Sequence, residues 1–88
     1  MGNLASGASQ AQEIWGSALA ELKSQLSKAS YRTWFEKTVG LCYQANQFVV
    51  GVPNNFVAEY LEKSQRSLIQ QALIPLTRCD IEVGFTSK

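Results

Sequence analysis

The junction between a β-branched run and a helix start constrains the fold of this chain more than any other feature of its sequence. Residues 47–52 (QFVVGV) are dense in β-branched and aromatic side chains, which is typical of a strand covered on at least one side. Pro53 has no N–H to donate to a sheet ladder, so it ends that strand. Asn54 is a residue type that commonly caps a helix. The sequence therefore predicts a strand that passes directly into a helix.

Two helices are predicted before this strand. The first covers about residues 11–26, where apolar side chains recur at i, i+4 and i+7 and form one stripe that includes Trp15. The second is short and covers about residues 30–37. Its N-cap is either Ser27 or Ser30, and the sequence leaves this choice open.

Two further strands are predicted from period-two alternation. Residues 39–43 alternate and lead through a turn at 44–46 into the run at 47–52, and Asn46 in this turn tolerates a positive φ. Residues 79–85 alternate apolar and polar side chains, which is the pattern of a half-buried strand. We therefore expect a three-stranded sheet.

The helix that starts at the junction completes the predicted fold. It covers residues 54–73, and Pro75 ends it because a proline pushes the preceding residue out of helical geometry. The order of elements is ααββαβ, and the fold class is α+β: a small two-layer domain whose sheet is covered by helices. Residues 1–10 are small and uncharged and indicate a flexible leader or a cloning remnant. Residues 11–85 form the predicted domain, and residues 86–88 the start of a linker.

Composition argues against several classes of function. The 88 residues carry 8 basic and 7 acidic side chains without a basic block, which does not support strong nucleic-acid binding by counterion release. The absence of histidine removes the commonest general base and metal ligand. Cys42 and Cys79 fit a reducing compartment as free thiols, a disulfide between them is the open alternative, and two cysteines are too few for a zinc site. There is no catalytic motif, secretion signal or run of roughly 18 apolar residues. We therefore expect a cytoplasmic protein that is not an enzyme and binds no cofactor.

An aromatic residue lies off the apolar face of the long helix. The predicted core face, at about 100° per residue, consists of Val57, Leu61, Leu68 and Ala72, with Ala58 and Ile69 on its flank. Phe56 falls about 100° to the other side, in line with Tyr60. Either Phe56 folds back as a staple onto the preceding turn or strand, or it is a partly exposed anchor for a partner.

The two predicted N-terminal helices carry further candidates. Ile14 lies about 100° off the stripe of Trp15. A lone exposed isoleucine usually has no role. If the small core covers only half of Trp15, however, Ile14 and Trp15 would together form a self-association patch. Tyr31 and Trp34 fit core packing best. Aromatic residues interleaved with basic ones can stack single-stranded bases, but Arg32 and Lys37 supply only weak positive charge beside them.

Four segments of the chain match one known family. They are IW at 14–15, LSKASYRTWFEKT at 26–38, VPNNFVAEYLE at 52–62 and DIEVGF at 80–85. The P-N-x-F element and the 19-residue spacing from Trp15 to Trp34 are together the most specific. Through these segments, residues 12 to about 85 resemble the N-terminal domain (domain I) of DnaA, the bacterial chromosomal replication initiator.

The resemblance implies a fold similar to a K-homology domain, no catalysis, and binding of other proteins. Members of this family self-associate weakly and bind the replicative helicase and initiation regulators, and some bind single-stranded DNA weakly. The glycine-x-x-glycine loop by which K-homology domains clamp nucleic acid is not present in this sequence. Nucleic-acid binding is therefore the second choice, and a free-standing adaptor or antagonist that shares the domain is a third.

The resemblance also assigns roles to individual residues. By position, the self-association surface corresponds to Ile14 and Trp15, and the partner-binding surface to Ser30, Tyr31, Asn54 and Phe56. Phe56 corresponds to the aromatic residue implicated in helicase contact, and Asn54 lies in the regulator-binding region. Ser30 is neutral where some members are acidic, so a charge-based helicase contact at this position is not expected.

Overall fold

The α+β fold and the predicted order of elements are confirmed. The computed structural model of the chain describes residues 3–78 and 80–87. Its elements are α1 (Asn3–Gln25), α2 (Lys28–Trp34), β1 (Val39–Gln44), β2 (Gln47–Val52), α3 (Asn55–Tyr60), a π-helical turn (Leu61–Gln65), α4 (Arg66–Thr77) and β3 (Glu82–Ser87). The single long helix of the prediction is thus a continuous helical stretch with a wider turn in its middle.

The three strands form one sheet in the order β1-β2-β3. β1 and β2 are antiparallel and joined by a two-residue turn, in which Ala45 and Asn46 have φ of 50° and 68°. Positive φ at both positions gives the turn the twist that a hairpin needs. β3 lies parallel to β2, with Phe48 opposite Val83. A parallel pair requires a crossover, and the helical stretch from α3 to α4 supplies it.

The helices pack on one face of this sheet and enclose a single core. Its largest fully buried side chains are Trp15, Leu22, Phe35, Phe48, Val50, Leu61, Ile69 and Leu73. α1 lies directly against β1 at Gly40, where an added Cβ would collide with the carbonyl oxygen of Ala11 and lie 2.8 Å from Cβ of Trp15. The absence of a side chain at Gly40 therefore sets the distance between α1 and the sheet.

The first two helices begin earlier than the sequence predicted. α1 starts at Asn3 instead of near Ala11, so residues 3–10 are helical where a flexible leader was expected. No proline interrupts this segment, so every residue in it has a backbone N–H that can take part in the helix. The open choice of N-cap for α2 is settled by Ser27, whose Oγ accepts a hydrogen bond of 3.1 Å from the backbone N–H of Ser30. Met1 and Gly2 lie outside the described residues.

The predicted end of the long helix at Pro75 is wrong. α4 continues through this proline to Thr77, and Arg78 follows with φ of 62° and donates its N–H to the carbonyl oxygen of Ile74. Pro75 lies in the last turn, so the helix loses only one hydrogen bond there. The left-handed residue after the helix is a common form of helix end.

The predicted core face of the long helix is correct before the π-helical turn and only partly correct after it. Val57, Leu61 and Ala72 are buried as predicted, but Leu68 is only half-buried. Ile69 and Leu73 are fully buried in addition. A π turn adds about one residue to a helical turn, which rotates all later side chains by roughly 100°. This rotation moves Ile69 from the flank of the predicted face into the core.

The last strand is shifted toward the C-terminus of the prediction. β3 covers Glu82–Ser87, and Thr86 and Ser87 pair with the end of β2, so these two residues are not the start of a linker. Ile81 is buried just before the strand, and its carbonyl oxygen accepts a hydrogen bond of 2.8 Å from Nε2 of Gln70. Cys79 and Lys88 lie outside the described residues. The predicted free thiol of Cys79 therefore falls outside them as well.

Candidate functional site

Phe56 is the most exposed large apolar side chain of residues 10–78 and 80–87, with 71% of its surface accessible. It lies in the first turn of α3, between the cap and the core face. Oδ1 of Asn54 accepts a hydrogen bond of 2.9 Å from the N–H of Val57, and the side chain of Val57 is buried. These two contacts fix the first turn, so Phe56 faces solvent. The alternative of a staple against the preceding turn is wrong.

Phe56 belongs to a group of three aromatic side chains that we call the aromatic surface: Trp34, Phe56 and Tyr60. The rings of Trp34 and Tyr60 stack with centroids 3.7 Å apart and planes 17° apart, and the ring of Phe56 lies 5.8 Å from Trp34 at 41°. Nε2 of Gln65 donates a hydrogen bond of 3.2 Å to the hydroxyl oxygen of Tyr60. Tyr60 is therefore held by a ring contact and by a polar contact from the π-helical turn.

A shallow depression lies beside the aromatic surface. Its volume is about 210 Å³, and it is bounded by Phe56, Glu59, Tyr60, Lys63 and Ser64. The two rings supply apolar area, while Glu59 and Lys63 supply one charge of each sign. An apolar centre with polar groups at its rim is the usual anatomy of a protein–protein contact.

Sequence reasoning identified Phe56 but missed the other two members of the aromatic surface. Trp34 was expected to pack in the core; it does pack against the core, but it is only half-buried, and Tyr60 was noted only for its position on the wheel. The i, i+4 spacing of Phe56 and Tyr60 was a usable signal, because such pairs are neighbours on a helix surface. The contact with Trp34 joins α2 to α3 and has no local signal.

Ser30 and Tyr31 lie on α2, one turn before Trp34. Ser30 is half-buried, and its N–H is used in the helix cap. The half-buried Tyr31 ring stacks on Phe35, with centroids 6.2 Å apart, and Nζ of Lys23 lies 5.6 Å from its centroid. α2 thus presents Tyr31 toward the end of α1 and Trp34 toward α3.

The expectation of a half-covered tryptophan in α1 is wrong. Trp15 is 2% exposed, and its Nε1 donates a hydrogen bond of 3.0 Å to Oγ1 of Thr38, whose hydroxyl in turn donates to the carbonyl oxygen of Phe35. Its ring also contacts that of Phe48 at 5.9 Å. The close approach of α1 to β1 encloses the indole completely. Ile14 is half-buried and is the member of the pair that remains at the surface.

The fold and its surface together define a small α+β domain whose prominent exposed feature is an ordered aromatic group. In the described residues no helix combines the length and the apolar character that crossing a membrane requires. The family model of the DnaA N-terminal domain matches residues 12–74, and the chain belongs to this family. Membership gives the domain a general role in the initiation of DNA replication, as a domain that interacts with proteins.

Proposed function

We propose that this domain binds the replicative helicase and initiation regulators through the aromatic surface. The observation that carries the proposal is the 71% exposure of Phe56 in a helix turn that is otherwise fixed by its cap and by the core. Aromatic side chains dominate the energy of protein–protein contacts, and an exposed one has little role in holding the fold. The resemblance to the family implies a partner contact at the same position, which supports the proposal.

The arrangement of the rings supports a binding role beyond mere exposure. The stack of Trp34 on Tyr60 and the hydrogen bond from Gln65 hold two of the three rings before a partner arrives. A surface that is already ordered loses less conformational entropy on binding, so more of the contact energy appears as affinity. Asn54 contributes indirectly, because its cap orients the turn that carries Phe56.

Replacement of Phe56 by alanine tests this proposal. We expect the affinity of the domain for the cognate replicative helicase to fall about 30-fold, which is the loss of one interface hot spot of about 2 kcal/mol. The fold should be kept, with a loss of at most about 1 kcal/mol from the contact with Trp34. Surface plasmon resonance and urea denaturation measure the two quantities. Leu76→Ala, at a side chain 41% exposed on α4, is the matched control and should bind normally.

Two results would contradict the proposal. Equal helicase affinity of Phe56→Ala and the unchanged domain would remove the aromatic surface from the contact. A loss of several kcal/mol in the free energy of unfolding of Phe56→Ala would show that the ring stabilises the fold and is not an anchor for a partner.

We also propose that weak self-association uses the α1 surface at Ile14. Trp15 is left out of this proposal because its indole is enclosed in the core. Ile14→Ser should raise the dimer dissociation constant about tenfold, since a residue at a two-fold interface is lost twice. Ile74→Ser makes the same change at a partly exposed isoleucine on α4 and should leave the constant unchanged. Sedimentation equilibrium over a range of concentrations measures both. Identical constants for all three proteins would exclude this surface.

A further inference from the structure

A second concave site lies between the end of α1 and α2, away from Phe56. We call it the basic pocket. Its volume is about 370 Å³, and it is lined by Lys23, Lys28, Tyr31, Arg32 and Glu36. Three of its five lining residues are cations, in a chain whose net charge is only +1. Positive charge is therefore concentrated at this place and is not a property of the whole surface.

The three cations of the basic pocket are not neutralised by carboxylates in contact with them. Within the described part of the chain, the ion pairs are those of Arg66 with Glu62 and Glu82. Glu36 is the acidic member of the pocket lining, so the lining has a net charge of +2. Three cations that converge on a concave surface attract an anionic ligand, and such complementarity gives specificity and speeds encounter.

The surroundings of Tyr31 favour a peptide over nucleic acid as the ligand. Single-stranded nucleic acid binds by stacking bases on free aromatic faces along a groove that tracks its backbone. The ring of Tyr31 already has Lys23 above it and stacks on Phe35. Carboxylates need no ring face, and Arg32 can bind one through two parallel hydrogen bonds.

We propose that the basic pocket binds an acidic peptide segment of a protein partner, through Lys23, Lys28 and Arg32. This inference rests on the proposed function in that it treats the domain as an interaction module. It differs in surface and chemistry, because the contact is electrostatic and the pocket lining shares no residue with the aromatic surface. Its affinity should fall with added salt, since the charges are near the surface.

A hexaglutamate peptide with a neutral fluorescent label, titrated with the 88-residue chain at low salt, tests the inference by fluorescence anisotropy. The double substitution Lys28→Ala with Arg32→Ala should weaken binding about tenfold, as expected for two solvent-exposed ion pairs. The control Lys37→Ala with Arg78→Ala removes the same charge from other exposed positions and should weaken binding no more than about twofold. Labelled oligothymidylate of twelve nucleotides is measured in parallel.

The anisotropy titrations either support or overturn the assignment of the basic pocket to an acidic peptide. Equal loss in the two double variants, or no binding of hexaglutamate, would overturn the proposal. Tighter binding of oligothymidylate than of hexaglutamate, lost in the Lys28 and Arg32 variant, would also overturn it and assign the pocket to nucleic acid. The proposed function is tested separately, because Phe56→Ala should leave hexaglutamate binding unchanged. Helicase binding that depends on Phe56, without hexaglutamate binding, would leave the proposed function intact and remove only this inference.

Discussion

Truncation of Trp15 to alanine is expected to lower the free energy of unfolding by about 3–5 kcal/mol, which is a large part of the stability of a domain of this size. The indole is 2% exposed and lies between α1 and the sheet, so its removal leaves a cavity that the surrounding helix and strands fill only partly. The substitution also removes the hydrogen bond to Thr38. Urea denaturation followed by circular dichroism measures the loss.

Three further variants separate packing from hydrogen bonding in this prediction. Trp34→Ala makes the same change at a half-buried tryptophan and should be clearly less destabilising. Thr38→Val leaves the indole N–H of Trp15 buried without its acceptor and should cost about 1–3 kcal/mol, whereas Thr38→Ser keeps the hydroxyl and should cost less. Equal losses in the free energy of unfolding for Trp15→Ala and Trp34→Ala would contradict the complete burial of Trp15. The indole would then again be a candidate for the self-association surface.

Replacement of Gly40 by alanine is the second change with a large expected effect. The new Cβ would collide with the carbonyl oxygen of Ala11 and approach Cβ of Trp15 to 2.8 Å. Both obstacles belong to α1 close to its backbone, so relief requires a shift of the whole helix away from β1. We expect a loss of stability at the upper end of about 1–3 kcal/mol, the usual range for an overpacked core.

Gly84→Ala is the control for this prediction. It makes the same substitution in β3 of the same sheet, where an added Cβ meets no atom within 4 Å. Its free energy of unfolding should change by no more than about 0.5 kcal/mol. Equal midpoints of urea unfolding for the two alanine variants would contradict the close packing of α1 on β1.

The elements that depend on local chemistry were predictable from the sequence. The end of β2 before Pro53, the cap at Asn54 and the positive φ of Asn46 each follow from one residue type and its neighbours. The π-helical turn was not predictable in this way, because a helical wheel assumes a constant angle per residue. One wider turn therefore displaced the predicted core face of α4.

The candidate site was predictable only in part. The wheel placed Phe56 off the core face, but it does not tell how much of the ring other elements cover. The ring of Phe56 proved open, whereas Trp15, which lies on the apolar stripe and was expected to be half covered, proved enclosed. The difference arises from contacts between elements that are distant in sequence, such as Trp15 with Phe48 and Trp34 with Tyr60. Such contacts leave no periodic trace in the chain.

The parallel pairing of β2 with β3 has a consequence for how the domain forms during synthesis. β3 leaves the ribosome after β2 and the whole helical stretch, so β2 remains an unprotected edge of a nascent hairpin until Glu82–Ser87 have emerged. A fragment cut at residue 74, where the family match ends, would lack both Ile81 and Val83, two buried side chains. Such a fragment should aggregate through the open edge, even though it contains the entire aromatic surface.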